Sequence, residues 1–363
     1  AQAARLDAMG LVQDVSGLMR RTVQRFGGVP SVTKPLYVVA GGWLAVPQYQ
    51  RLVGHQIGEP VLRLAGIDPD GKIDYPTLRR ALSDISKTTP DRRGVPVVAS
   101  PRPWGIGAAE TPDVDAWCWG VIHAWGGGLA DRHGERVALA SPETVAALEW
   151  LAATLSERPW RDAVHPEAGS WTDAEKNAAF VSGATAYTFT EQALVPTESR
   201  SPGTGEGDSR ADAVYLRTPA GPVERPRAIG GGAAWFLPRG APPEPVERLL
   251  EALLEPTIQR RLWQAGGGFA LPAYLAGWDD PVLASLPDFR NAQRFRNELT
   301  NGGFLSATGN SGPETAASQA IGDAGLGIGM LRAVLAGRPA REVVAEAQQQ
   351  ATQLFRDYGL PGV

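Results

Sequence analysis

The residue types with most chemistry to offer in this 363-residue chain are four histidines, one cysteine and eleven tryptophans. The histidines are His55, His123, His133 and His165, and no two are spaced as HExxH or as another pair of metal ligands. His133 sits in Asp131-Arg132-His133-Gly134-Glu135, which reads as a hairpin turn. A single cysteine, Cys118, forms no intrachain disulfide and builds no cysteine-type zinc cluster. Flanked by Trp117 and Trp119, it reads as a buried structural thiol. There is no GxSxG elbow and no P-loop. Gly203-x-Gly205-x-Gly207 lies in a polar segment, not between a strand and a helix, so it does not fit a phosphate cradle. The run Gly322, Gly325, Gly327, Gly329 precedes an apolar helix with no strand before it, and close helix packing accounts for it. No metal and no cofactor are expected.

Tryptophan is the unusual feature, because the chain is only 7% aromatic. Trp43, Trp104, Trp125, Trp171, Trp235 and Trp278 fall at breaks in the expected secondary structure. Core packing is the ordinary use of tryptophan. A tryptophan beside glycine in a loop can instead offer a flat apolar face to the C–H face of a pyranose, while neighbouring polar groups take the hydroxyls. Two or more of these side chains are expected to line a pocket.

The elements that must position them alternate between helix and strand. Helical periodicity runs through residues 1–26, with Asp14 and Ser16 marking where one helix hands over to the next. Residues 36–46 read as a strand pair interrupted by Gly41-Gly42. Residues 58–66 and 76–87 read as helices with prolines near their first turns, and 88–103 as a loop. An aromatic helix over 112–125 ends at Gly126, and an amphipathic helix covers 142–156. A short helix over 173–182 is followed by an alternating strand over 184–190 and a polar, glycine-rich loop over 199–211. Strands are expected around Gly230-Gly231-Gly232, one long helix over 242–265, and two more over 323–336 and 339–357. Interleaving of this kind argues for an α/β architecture. The length suggests about two domains.

The net charge of −4 argues against nucleic acid as a partner, since phosphate contacts need a basic surface. No apolar run approaches the roughly 20 residues of a membrane helix. The N-terminal residues carry no basic segment followed by an apolar core, so no signal sequence is read in the chain.

Several segments, in series, resemble solute-binding protein family 1, the group that includes maltose-binding protein. Leu44-Ala45-Val46-Pro47-Gln48-Tyr49 is similar to the strand by which that family crosses from its first lobe to its second. Ala65-Gly66-Ile67-Asp68 with Pro76-Thr77-Leu78, Trp125-Gly126-Gly127 with Ser141-Pro142-Glu143, and Ala179-Phe180 with Gly183 and Ala186-Tyr187 follow in the family's order. Gly230-Gly231-Gly232 to Phe236-Leu237-Pro238, Gly267-Gly268-Phe269 with Leu271-Pro272, and Gly337-Arg338-Pro339 with Ala345 and Ala347 complete the series. The chain departs from the pattern at Thr77-Leu78-Arg79, at Ile57-Gly58 and around Ala273-Tyr274.

The resemblance implies a periplasmic-binding-protein-like (type II) two-lobed fold, with hinge strands between the lobes and the N-terminal part of the first lobe missing. Residues 1–46 and 230–285 would form the first lobe, and 47–229 and 286–363 the second. Crossings are expected near Ala45–Tyr49, around 226–232 and near 283–290. The function it implies is that of an extracytoplasmic component of an ABC importer. Such a protein binds a sugar or oligosaccharide in the interlobe cleft and closes around it.

Carried over by position, Asp115 and Trp119 fall where second-lobe contacts lie, and Glu191 and Gln192 just after a strand that precedes ligand contacts. Trp235 lies in the return strand, Trp43 and Tyr49 flank the hinge, and Trp125 either stacks on a sugar or packs beneath its glycine turn. Arg51 is as well explained by solvation. The implied partners are a carbohydrate and the permease subunits of the transporter. The protein would be a monomer, reaching the membrane only through a lipid anchor outside this chain. A peptide, polyamine or polyol phosphate is the alternative ligand class. A glycoside-processing enzyme would need paired carboxylates across the pocket, for which Asp115 and Glu191 are the candidates. A binding protein uses the same groups to accept hydroxyl hydrogen bonds, and no catalytic residue is assigned.

Overall fold

The computed structural model of the chain describes residues 3–86, 102–191, 213–223, 228–266, 270–286, 293, 294, 296, 304–306, 308, 309 and 312–362. Helices α1 (Ala3–Ala8) and α2 (Ser16–Phe26) hand over where expected, with the Ser16 amide donating to Asp14 Oδ1 at 2.8 Å. A short helix, α3 (Lys34–Tyr37), leads into the hairpin β1 (Val38–Val39) and β2 (Gly42–Trp43). Its turn needs positive φ at two successive residues, Ala40 at 47° and Gly41 at 85°. This is the backbone that favours glycine in tight hairpins.

The long strand β3 (Ala45–Gly58) follows, and every remaining strand of the main sheet except one touches it. Next come α4 (Glu59–Ala65), α5 (Tyr75–Ile85), α6 (Pro112–Trp125), α7 (Pro142–Ser156) and α8 (Asp173–Val181). Strands β4 (Tyr187–Glu191), β5 (Ala213–Tyr215) and β6 (Ala228–Phe236) precede α9 (Pro243–Leu253), α10 (Pro256–Ala265), β7 (Leu271–Pro272) and α11 (Pro281–Ala284). The chain closes with β8 (Phe304–Ser306), α12 (Ala316–Asp323), α13 (Leu326–Leu335) and α14 (Ala340–Asp357).

Local chemistry sets the helix ends. Thr111, Ser141 and Thr172 each accept an amide hydrogen bond at the start of α6, α7 and α8, and Pro112 and Pro142 occupy first-turn positions where no donor is lost. The expected single helix over 242–265 is two helices. Pro256 has no N–H and pushes Glu255 to extended backbone, which ends α9 and opens α10.

The main sheet has the order β4-β3-β6-β8, with β5 and β7 also paired to β3. The pairing is antiparallel except between β6 and β8, which run parallel. The first half of β3 pairs with β6 from Ala45–Phe236 to Val53–Ile229, and the second half with β4 and β5. One end of β3 is therefore anchored among different residues from the other.

Those ends lie in separate hydrophobic cores. Ile57 belongs to a large core built from α4 to α7, β4 and α12 to α14, with Trp104, Trp117, Trp119 and Trp125 buried in it. Ala45 and Val46 belong to two smaller cores built from α1 to α3, α9 to α11 and β7, with Trp263 and Trp278 buried there. Leu283, at the expected third crossing, lies in one of the smaller cores, and residues 287–292 are outside the described residues. Among the described residues no helix is long and apolar enough to cross a membrane.

Candidate functional site

A cleft of about 980 Å³ opens where β3, with β6 paired beside it, passes between the cores. Its floor is Arg51 and Val53 of β3 with Gly230, Gly231 and Gly232 of β6. The three glycines carry no side chains into the space, and a Cβ at Gly231 would meet nothing within 4 Å. Arg5 and Leu36 contribute one wall. The other wall is the first turn of α6, from Thr111 to Ala116, together with Thr308, Glu314, Gln319 and the turn from α12 into α13. No aromatic side chain lines the cleft among the described residues.

Asp115 lies on this wall, but its oxygens are committed to the protein. Oδ2 accepts from the Trp119 indole at 3.1 Å and Oδ1 from the Ile328 amide at 2.7 Å. A carboxylate at the N-terminus of α13 suits the helix dipole and its unpaired amides. Burial pushes the Asp115 carboxyl up to about 6, against the pull of those donors. The approach is close enough to need glycine: a Cβ on Gly327 would fall 2.8 Å from Asp115 Oδ1 and 2.9 Å from Trp119 Nε1. Gly327 of the glycine run thus serves close packing of α13 on α6.

Two further carboxylates on the wall are buried. Asp113 pairs with Lys176, whose Nζ donates to Asp113 Oδ2 at 2.7 Å, to Asp173 Oδ1 at 2.9 Å and to the Phe189 carbonyl at 2.7 Å. Burial raises the Asp113 carboxyl, and the ammonium opposes it. Glu314 accepts from Thr308 Oγ1 at 2.9 Å and from Ser318 Oγ at 2.9 Å. Burial raises its carboxyl as well, against the hydroxyl donors around it. At the rim, Arg5 pairs with Asp323 at 2.9 Å and Arg332 with Glu110.

Of the residues expected from the sequence, Asp115 lines the cleft. Trp119 stands directly behind it, buried in the large core. Trp125 packs in the same core, its ring 4.9 Å from that of Trp150 and 5.8 Å from that of Tyr75. Trp43, Tyr49 and Trp235 are half-buried and pack against the smaller cores. Glu191 ends β4, its backbone paired with Val53 of the cleft floor. Gln192 lies outside the described residues. Trp119 and Trp125 are thus held by packing in the large core.

Sequence reasoning gave no role to Glu314, Gln319, Asp113 or Lys176. Lys176 and Asp113 meet from 63 residues apart, so no local spacing announces that pair. Arg51 lies on the cleft floor. Among the described residues no group of three His, Cys, Asp or Glu side chains could hold a metal ion.

No protein-family model matches the chain, and no curated protein matches it. Solved structures do. Maltose-bound MalE3 of T. maritima has 15% sequence identity and a TM-score of 0.72, over 95% of this chain and 81% of that one. An ABC-transporter solute-binding protein from Thermotoga lettingae TMO, bound with α-D-tagatose, has 16% identity and a TM-score of 0.73, over 97% of this chain and 82% of that one. A sugar transporter from Arthrobacter chlorophenolicus A6 with bound laminaribiose has 18% identity and a TM-score of 0.72, again over 97% and 82%. The fold of this chain is therefore the two-lobed α/β fold shared by these solute-binding structures.

Proposed function

We propose that this chain is the extracytoplasmic solute-binding component of an ABC importer and takes a sugar or polyol into the cleft at the β3–β6 crossing. The observation that carries the reading is the placement of that cleft. Its floor is formed by β3, which runs from one set of cores to the other, and by β6 paired beside it, and its walls come from both sides. A ligand that touches both walls favours the state in which they approach, and the permease would read that state. The two lobes would be residues 1–46 with 230–285 and residues 47–229 with 286–363. A monomer tethered by a lipid anchor completes the proposal.

The cleft's charges support a neutral ligand. Asp113, Asp115, Asp323 and Glu110 are matched by Lys176, helix amides, Arg5 and Arg332. Glu314 is held by the Thr308 and Ser318 hydroxyls, so the protein's own donors already engage these carboxylates and none of them calls for a polyamine. Catalysis finds little support, since Asp115 is bound by its own protein at both oxygens and the similar structures are binding proteins.

Thermal unfolding with sugars, polyols, peptides and polyamines tests this. A ligand present at 100 times its dissociation constant adds about 2.7 kcal/mol of stability. A sugar or polyol should raise the melting temperature. A response confined to peptides or polyamines would refute the ligand class.

A further inference from the structure

Gln319 sits on the second turn of α12 and lines the cleft. It is only 6% exposed, and neither its amide oxygen nor its amide nitrogen has a hydrogen-bond partner among the described residues. Proteins seldom leave a buried amide in that condition, because its two donors and its acceptor forfeit their bonds to water. The indole nitrogens of Trp104 and Trp150 also lack a partner, and they lie within or against the large core.

The backbone that carries Gln319 is held firmly. Thr315 and Ser318 cap α12 reciprocally, with the Ser318 amide donating to Thr315 Oγ1 at 3.1 Å and the Thr315 amide donating to Ser318 Oγ at 3.0 Å. Ser318 Oγ also donates to Glu314 Oε2 at 2.9 Å. The amide is thus pre-positioned on a rigid element, which is how a protein holds a recognition group.

We infer that Gln319 is a specificity-determining residue of the cleft, its side-chain amide pairing with two adjacent hydroxyls of a small, uncharged polyhydroxylated ligand. The inference rests on the function proposed above. A primary amide donates through nitrogen and accepts through oxygen, which matches one hydroxyl that accepts beside one that donates. The neutral amide offers nothing special to a carboxylate or a phosphate. Gly230, Gly231 and Gly232 on the floor and Gly322, Gly325 and Gly329 on the wall leave room for such a ligand to approach the backbone. With no aromatic platform among the described lining residues, hydrogen bonds are the means of selection.

The test uses the whole chain and two variants, Gln319→Leu and Gln319→Glu. Isothermal titration is run against ribitol, D-tagatose, maltose and laminaribiose, with ligand-free melting in parallel. For whichever probe the unaltered protein binds, both variants should weaken binding at least tenfold. The ligand-free melting temperature of Gln319→Leu should hold or rise, because an unpaired buried amide has been replaced by an apolar group of similar size. A structural role predicts the opposite sign. Variants that bind within twofold of the unaltered protein overturn the inference and leave the proposed function standing. So does a Gln319→Leu protein that loses affinity and melting temperature together. If the unaltered protein binds none of the four probes, the functional reading fails, and this inference with it.

Discussion

The two ends of helix α6 make a useful comparison. Its first turn, with Asp113 and Asp115, forms part of the cleft wall and is bound by Lys176 and by the amides of α13. Its remaining turns carry Trp117, Trp119 and Trp125 into the large core, where Trp117 meets Trp104 at 6.1 Å and Trp125 meets Trp150 at 4.9 Å. One helix thus supplies both a polar part of the cleft wall and tryptophans of the large core. The lesson is that tryptophan richness marks the cores here. The cleft is marked by glycines, by carboxylates already engaged and by one unpaired amide.

The core end should carry stability and the cleft end affinity. Trp117→Ala should cost about 3–5 kcal/mol, the range for removing a large buried aromatic, while the folded fraction binds ligand as tightly as before. Denaturant unfolding combined with titration checks both halves. A loss of affinity without a loss of stability would break the comparison by putting ligand contact on the aromatic side.

A smaller effect should come from the cleft end through pH. The folded Asp115 carboxyl titrates at about 6, above its unfolded value of about 4. Between those values the native state binds more protons than the unfolded chain, so the contribution of Asp115 to stability falls as pH rises from about 4 to about 6. It is fully present below about 4. Asp115→Asn should flatten that slope in unfolding measurements taken across the window. An unchanged slope would mean that Asp115 is not held in the buried, amide-capped setting described here.

Much of the fold was legible in the sequence. Helix starts at Thr111-Pro112 and Ser141-Pro142, the stop at Gly126 and the hairpin around Gly41 are written in local turn and cap chemistry. Pro256 offered the same kind of signal, and the break between α9 and α10 is where it acts. The site was less legible. The tryptophans were conspicuous by type, but which way an indole points depends on the face its helix presents to the core. Gln319 and Glu314 looked like ordinary polar residues near a helix start. Their burial depends on parts of the chain far from them, as when the Glu314 amide donates to the Pro35 carbonyl at 3.2 Å. Lys176 shows the same limit, since its helix supplies Asp173 three residues away, whereas Asp113 and the Phe189 carbonyl arrive from other elements.

The central claim is that ligand binds on the glycine floor between the cores, and a side chain placed on that floor tests it most directly. Gly231 lines the cleft, and a Cβ there meets nothing within 4 Å. Phenylalanine also suits a strand. Isothermal titration of Gly231→Phe with whichever sugar or polyol stabilises the unaltered protein should show binding abolished, while the ligand-free melting temperature stays close to that of the unaltered protein. Retained affinity in a folded Gly231→Phe protein would contradict the account and move the ligand away from the β3–β6 crossing.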